Sequence, residues 1–273
     1  MQLTPSLRTP SARCFRRTLS AAGLALVAGC GGGVPLLHPA QVLPPGKTAF
    51  AAGLSDRLAL GAERRALNEA REGTSGAPRF DPRFTRGVLV ALSEGPAVTP
   101  YAAGRIGIAG SNEAGLSASG PALRGDARHA WAWGAAAFSA GLGVTGRGFG
   151  QRADLAEADF GRARGYGLDL PLLVGYHTDA DLISVWGGLR ASLDHWSGSV
   201  SLDAGGPFQL SADRAALGPV LGIALGLPPF WVMAELEVDR ARVAGSLDRA
   251  GTHFEAAVDG WSARPAGALV AKF

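Results

Sequence analysis

The stretch Arg214–Arg240, RAALGPVLGIALGLPPFWVMAELEVDR, reads as two runs of period-2 alternation folded about Leu227-Pro228-Pro229-Phe230. In the first run Ala215, Leu217, Leu221, Ile223 and Leu225 form an apolar face. Arg214, Ala216, Gly218, Gly222, Ala224 and Gly226 form a face of small residues, broken by Val220. In the second run Val232, Ala234, Leu236 and Val238 alternate with Met233, Glu235, Glu237 and Asp239. Period 2 is the spacing of a β-strand, whose successive side chains project to opposite faces. Pairing Gly226 with Trp231 sets Leu225 against Val232 and Leu221 against Leu236, while Glu235 meets Gly222 and Glu237 meets Val220. A slip of one residue would exchange the two faces and send the acids to the apolar side.

Similar runs recur outward from this hairpin. Thr48, Phe50, Ala52 and Leu54 share a face, as do Val88, Val90 and Leu92, and Ala102, Gly104, Ile106 and Ile108 opposite Arg105. A weaker run spans residues 114–123. A long uncharged one covers 130–144, with Ala130, Phe138, Leu142 and Val144 on one face and Trp131 and Trp133 on the other. Tyr166–Tyr176, Ile183–Leu193 and Ser262–Phe273 complete the series, which predicts about ten strands, within a range of 8 to 12. Connections at 56–85, 147–163, 200–212 and 244–260 are long, that at 94–99 is moderate, and those at 124–127, 177–181 and Pro228-Pro229 are short; the short tip at Ser111-Asn112 alone departs clearly from the alternation. Such alternation suits a barrel with short turns at one end and longer loops at the other. Leu58–Arg71 has helix-forming composition and sits on the first long connection. Pro121, Pro171, Pro219 and Pro265 fall inside proposed strands, where each removes a ladder donor and marks a bulge or boundary.

Composition narrows the functional classes. Gly occupies 40 of 273 positions without a triplet period, which excludes a collagen-like chain. The net charge of +3 owes four of its 26 basic residues to Arg8, Arg13, Arg16 and Arg17, leaving 22 against 23 acidic residues from Cys30 onward. No nucleic-acid partner is implied. Cys14 and Cys30 are the two cysteines, and no apolar run after residue 30 is long enough for a transmembrane helix. Five scattered histidines show no metal-ligand or nucleophile–base spacing. Asp194 and His195 are adjacent and so face opposite ways, and His253 and Ser262 lie near the last long connection. No enzymatic activity, metal or cofactor is expected.

The N-terminus has a basic segment, an apolar run Thr18–Ala28 and the ending Val27-Ala28-Gly29-Cys30. This is the layout of a secretory signal peptide, and its ending resembles a bacterial lipobox. The resemblance implies cleavage after residue 29 and acylation of Cys30. Gly31 in place of Asp implies delivery to the outer membrane. An ordinary signal peptide is the alternative, and Arg16-Arg17 is a poor twin-arginine match. Residues 30–46, rich in Gly and Pro, read as an unpacked linker with a solvated His38.

The C-terminal amphipathic strand ending in Phe273, with the runs at 165–200 and 214–240, resembles the small bacterial outer-membrane β-barrels over residues 47–273. The resemblance implies an all-β, transmembrane, antiparallel up-and-down barrel, surrounded by outer-membrane lipid and inserted by the barrel-insertion machinery through the last strand. Arg105, Asp169, Arg190, Asp194, Glu235, Glu237, Asp239, Arg264 and Lys272 would then point inward, where buried charges persist when paired. The hairpin geometry pairs Asp169 with Arg190 and Asp239 with Arg264. Tyr101, Trp131, Trp133, Tyr176, Phe230, Trp231 and Phe273 are expected near the strand ends that carry the termini, as interfacial aromatics, although Trp131 and Trp133 fall on the inward face. A structural or surface-interaction protein with a filled lumen is the expectation. A small-solute channel is the alternative, and an outer-membrane enzyme a weaker one.

Overall fold

The computed structural model describes residues 34–73, 82–94, 98–148, 158–160, 162–178, 182–202, 206–249 and 251–273. Cys30 and the signal segment lie outside the described residues. The elements are β1 (Thr48–Ser55), β2 (Leu58–Leu60), α1 (Gly61–Gly73), α2 (Pro82–Glu94), β3 (Thr99–Ile108), β4 (Asn112–Ser119), β5 (Ala122–Trp133), β6 (Ala136–Gly148), β7 (Ala158–Asp159), β8 (Arg164–His177), β9 (Ile183–Leu202), β10 (Gly206–Leu227), β11 (Phe230–Arg249) and β12 (Thr252–Lys272).

Ten strands close a ring in the order β1-β3-β4-β5-β6-β8-β9-β10-β11-β12, with β12 pairing back onto β1. All pairings are antiparallel. β2 prolongs β1 along β12, and β7 adds to the upper end of β9. Partners traced round the ring from Thr48 return to the first strand at Leu60, a displacement of about 12 residues, which tilts the strands by roughly 40°. The hairpin β10–β11 has the register expected of it: Gly226 faces Trp231, Leu221 faces Leu236, Gly222 faces Glu235 and Val220 faces Glu237. Ladder pairing skips a step at Pro219 and at Pro171 without changing register, as a strand residue lacking N–H requires.

The outward face is apolar. Leu217, Leu221, Leu225, Val232, Leu236 and Leu269 are all exposed, as are Phe50, Leu142, Leu168 and Leu193. A lower girdle of Trp133, Tyr176, Phe230 and Phe273 lies at the end where β1 begins and β12 finishes; Tyr166 and Trp261 mark the upper one. Above these, the outward face carries Arg242, Asp259 and Asp213. From Phe230 to Arg240, β11 climbs about 25 Å at ~3.3 Å per tilted residue, the height of the apolar band of a membrane barrel. Among the described residues no helix is long and apolar enough to cross a membrane.

Several expectations are corrected. The Val88–Leu92 run is not a strand but the middle of α2, where an unbroken apolar run fits a buried helix as well. Residues 114–144 form parts of three strands rather than two, turning at Gly120-Pro121 and Gly134-Ala135, and 124–127 is strand, not connection. The two errors offset each other in the strand count. β9 to β12 run far into the expected long loops, reaching Leu202, Gly206, Arg249 and Thr252. Trp131 and Trp133 face outward, Trp131 stacking on Phe138, because the turn at Gly134 resets the facing of β5. Tyr101 and Trp231 leave the aromatic girdle and point inward.

Candidate functional site: the filled lumen

Three layers occupy the interior of the barrel. At the bottom is the N-terminal segment 34–46. It was expected to be an unpacked, solvated linker, but Val34, Leu36, Leu37, His38 and Ala40 are all buried. The barrel supplies partners for backbone groups that an extended chain cannot satisfy itself. Leu36 N and Leu37 N donate to the two oxygens of Glu235 at 2.8 and 2.9 Å. Leu43 N donates to Glu113 Oε2 at 2.8 Å. In the other sense, Arg190 Nη1 donates to Val34 O at 3.0 Å, Arg128 Nη2 to Gln41 O at 2.9 Å, and Arg128 Nη1 to Pro39 O. Gly107 makes room where the segment enters: a Cβ there would stand 2.1 Å from Pro44 O and 2.4 Å from Leu43 O. The apolar side chains pack with Tyr101, Leu173, Trp186, Val220, Met233 and Val270.

The middle layer is a continuous chain of alternating charge. Glu113 bridges Arg105 and Arg128, the latter at 2.9 Å. Arg105 reaches Asp126 at 3.0 Å, Asp126 reaches Arg124 at 2.7 Å, and Arg124 holds Asp169 through two bonds of 2.9 Å. Asp169 meets Arg190 at 3.3 Å, and Arg190 meets Glu237 at 3.0 Å. Glu237 continues to Arg264 at 2.7 Å, which lies 4.0 Å from Asp239. Asp239 bonds Arg214 at 2.9 Å and lies 3.7 Å from Arg57. Arg214 and Arg147 then hold Asp194 at 3.4 and 3.3 Å. Each of these side chains is almost fully buried. A carboxylate there keeps its charge only because a guanidinium fork offers several donors to it.

The top layer is the helical hairpin. Ala70, Phe84, Val88, Leu89 and Leu92 pack on the inward faces of the long strands, against Trp196, Val200, Phe208, Leu210, Val243 and Leu247. Arg57 ties this cap to the charged layer, donating to Ser93 O at 3.0 Å and to Ser262 Oγ.

The structure therefore places Arg105, Asp169, Arg190, Asp194, Glu235, Glu237, Asp239 and Arg264 inside the lumen, each at most 9% exposed. Lys272 lies at the lower rim with Nζ 4.2 Å from the centre of the Trp231 ring. Two expected pairings are shifted by two residues. Asp169 is registered with Ser192 and touches Arg190 diagonally, and Arg264 is opposite Glu237 rather than Asp239. The turn geometry assumed for both hairpins missed the true turn centres. Glu235 bonds the N-terminal segment and Trp186 Nε1 at 3.3 Å, not an arginine.

Sequence reading missed Arg57, Glu113, Arg124, Asp126, Arg128, Arg147 and Arg214. The signal was present in β5, where Arg124, Asp126 and Arg128 alternate with Gly125 and Ala127. Arg57 and Arg147 lie on stretches whose sequence reads as a connection. Among the described residues no cluster of His, Cys, Asp or Glu has a metal-binding arrangement. Ser262 donates to Asp239 at 2.7 Å, and His195 bonds Asp213 at 2.7 Å on the outer surface while Asp194 faces inward. His253, at the β11–β12 tip outside the membrane band, is held above the usual imidazole pKa by hydrogen bonds to Glu255 and Asp248.

No family model matches the chain, and no curated protein matches it. Similar solved structures include Ail, the attachment invasion locus protein of Yersinia pestis, at 10% identity and TM-score 0.35, covering 84% of this chain and 99% of that one. Neisserial surface protein A is 12% identical with TM-score 0.28, covering 83% and 96%. The translocator domain of the autotransporter NalP from Neisseria meningitidis is 13% identical with TM-score 0.37, covering 86% and 90%.

Proposed function

We propose that this protein is a closed β-barrel of the bacterial outer membrane, acylated at Cys30, with a structural or surface-interaction role and no catalytic one. The observation that carries the reading is the filled lumen: a chain of paired charges in the middle and a helical cap above, which close it whether or not the N-terminal segment stays below them. A channel needs a continuous path of water, and the charge chain interrupts it from β3 round to β12. The apolar band supports the membrane location, and the lipobox-like ending supports export. The end with the termini and short turns is assigned to the periplasm, and the end with the helices and long hairpins to the cell surface. The last strand, ending in Phe273, is the segment offered to the insertion machinery, and it also makes the closing pair with β1.

Planar-bilayer recording on purified, heat-modifiable protein tests the closed state. Current at the bare-bilayer level is expected across a wide voltage range. Stable unitary steps would replace this reading with that of a small-solute channel.

A further inference from the structure

On the outer face of the barrel, β8 to β11 border a groove of about 600 Å³, within the range of roughly 300–1,000 Å³ usual for ligand pockets. Leu168, Leu170, Ala191, Leu193, Ala215 and Leu217 line it, with Arg240 and Arg242 at its upper end. Two ladder rows build it: Leu170, Ala191, Leu217 and Arg240 in the lower, Leu168, Leu193, Ala215 and Arg242 in the upper. The two alanines leave a depression between exposed leucines. Strand tilt lifts each row by roughly 9 Å from β8 to β11, so the groove rises out of the apolar band toward the arginines.

Arg240 stands opposite Trp261 of the upper girdle, and Arg242 is two residues higher, about 5 Å along the barrel axis. This is the level at which lipid headgroups meet the apolar band. Both side chains are exposed, and among the described residues neither makes an ion pair or hydrogen bond. That sets them apart from the lumen arginines, each of which holds a carboxylate. Three acids border this region. Asp169 has its carboxylate inside the barrel, bonded to Arg124. Asp213, two residues above Ala215, is bonded to His195 at 2.7 Å. Asp259 also lines the groove, but it lies across β11, opposite Arg242 and on the side away from the leucines. The end of the groove therefore carries two cations against one anion, and the cations are reached from the β10 side without passing Asp259.

We infer that this groove is a binding site for a lipid of the leaflet at the helix-bearing end, with an acyl chain along the leucine and alanine rows and a phosphate held between Arg240 and Arg242. Guanidinium forks match phosphate oxygens in geometry and charge. A chain that follows the rows downward stays within the apolar band throughout. The site rests on the membrane reading and goes beyond it, since a barrel needs no headgroup-specific contact to span a bilayer.

The test titrates the full chain in detergent micelles with phosphatidic acid, or with diacylglycerol of the same acyl chains, and counts bound lipid by native mass spectrometry. A heat-shifted gel band is required first; its absence in wild type would refute the barrel reading itself. With the band present, one phosphatidic acid per barrel is expected to be retained at least about tenfold better than diacylglycerol, through charge-assisted hydrogen bonds that the neutral lipid cannot make. Arg240→Gln with Arg242→Gln should bring the two lipids to parity. Ala215→Phe, which fills the groove and leaves both arginines, should lower retention of phosphatidic acid several-fold. Equal retention of the two lipids by wild type would overturn the site, as would undiminished phosphatidic acid binding in either folded variant. Displacement of the lipid by millimolar inorganic phosphate would also overturn it, assigning the arginines to a free anion. The two-lipid comparison on wild type needs no variant and so stands if a substitution prevents folding.

Discussion

Arg190 is the residue on which two of the three lumen layers meet. Its guanidinium is ion-paired with Asp169 and donates to Glu237 in the charge chain and to Val34 O in the N-terminal segment. Removing it leaves two carboxylates short of a partner in a site from which water is largely excluded, a loss on the order of 3–5 kcal/mol for a buried pair. Arg190→Ala is expected to lower the temperature at which the folded band converts to the unfolded one. Arg190→Lys should recover only part of it, because an ammonium cannot fork between two carboxylates in fixed directions. An unchanged conversion temperature in Arg190→Ala would show that water reaches these carboxylates. The inward facing of Arg190 was legible from Leu189, Ala191 and Leu193 around it. Its partners were less so, since cross-strand neighbours depend on where a turn is centred, and an error of one residue at the turn moves the partner by two.

Strands were legible where bulky and small residues alternate, as in β8 to β12, and poorly legible in β4 to β6. In the latter region Ala and Gly fill both faces. Gly110, Gly120 and Gly134 take positive φ at the turns, but in the sequence they look like the glycines inside the strands. The helical hairpin was half legible: α1 from its composition, α2 not, since Val88, Val90 and Leu92 alternate like a strand while Val88, Leu89 and Leu92 share a helix face. Contact between the helices depends on Gly87. A Cβ there would lie 2.1 Å from Ala70 Cβ and 3.1 Å from Ala66 O, so any larger residue pushes α1 and α2 apart. Gly87→Leu is expected to speed trypsin cleavage at the exposed Arg64 and Arg65 several-fold while the barrel keeps its heat-shifted band, because the ring of strands closes without the helices. Cleavage at the wild-type rate would mean that the cap does not rest on this contact.

For the molecule as a whole, the lumen seals act in series, so withdrawing one does not open a pore. That has a consequence for an anchor at Cys30. Val34 O is held by Arg190, which stands seven residues above the lower start of β9 at Ile183, about 18 Å up the tilted strand. Cys30 is four residues from Val34, and four fully extended residues span at most ~14 Å. Acyl chains in the periplasmic leaflet have to lie outside the barrel wall as well as below the lumen, beyond that reach. An acylated, membrane-anchored Cys30 and an N-terminal segment bound to Glu235 and Arg190 therefore exclude each other. Anchoring must draw residues 34–37 out of the lumen, while the charge chain and the helical cap stay in place and keep the barrel closed. Hydrogen exchange on the segment 34–46 in the same lipid provides the measurement. The amides of Leu36 and Leu37, protected by Glu235 in Cys30→Ser, are expected to exchange at least about tenfold faster in palmitate-labelled wild type, the ratio for a loss of roughly 1.4 kcal/mol of protection. Equal protection in protein shown to carry the label would place the acyl chains somewhere other than the periplasmic leaflet.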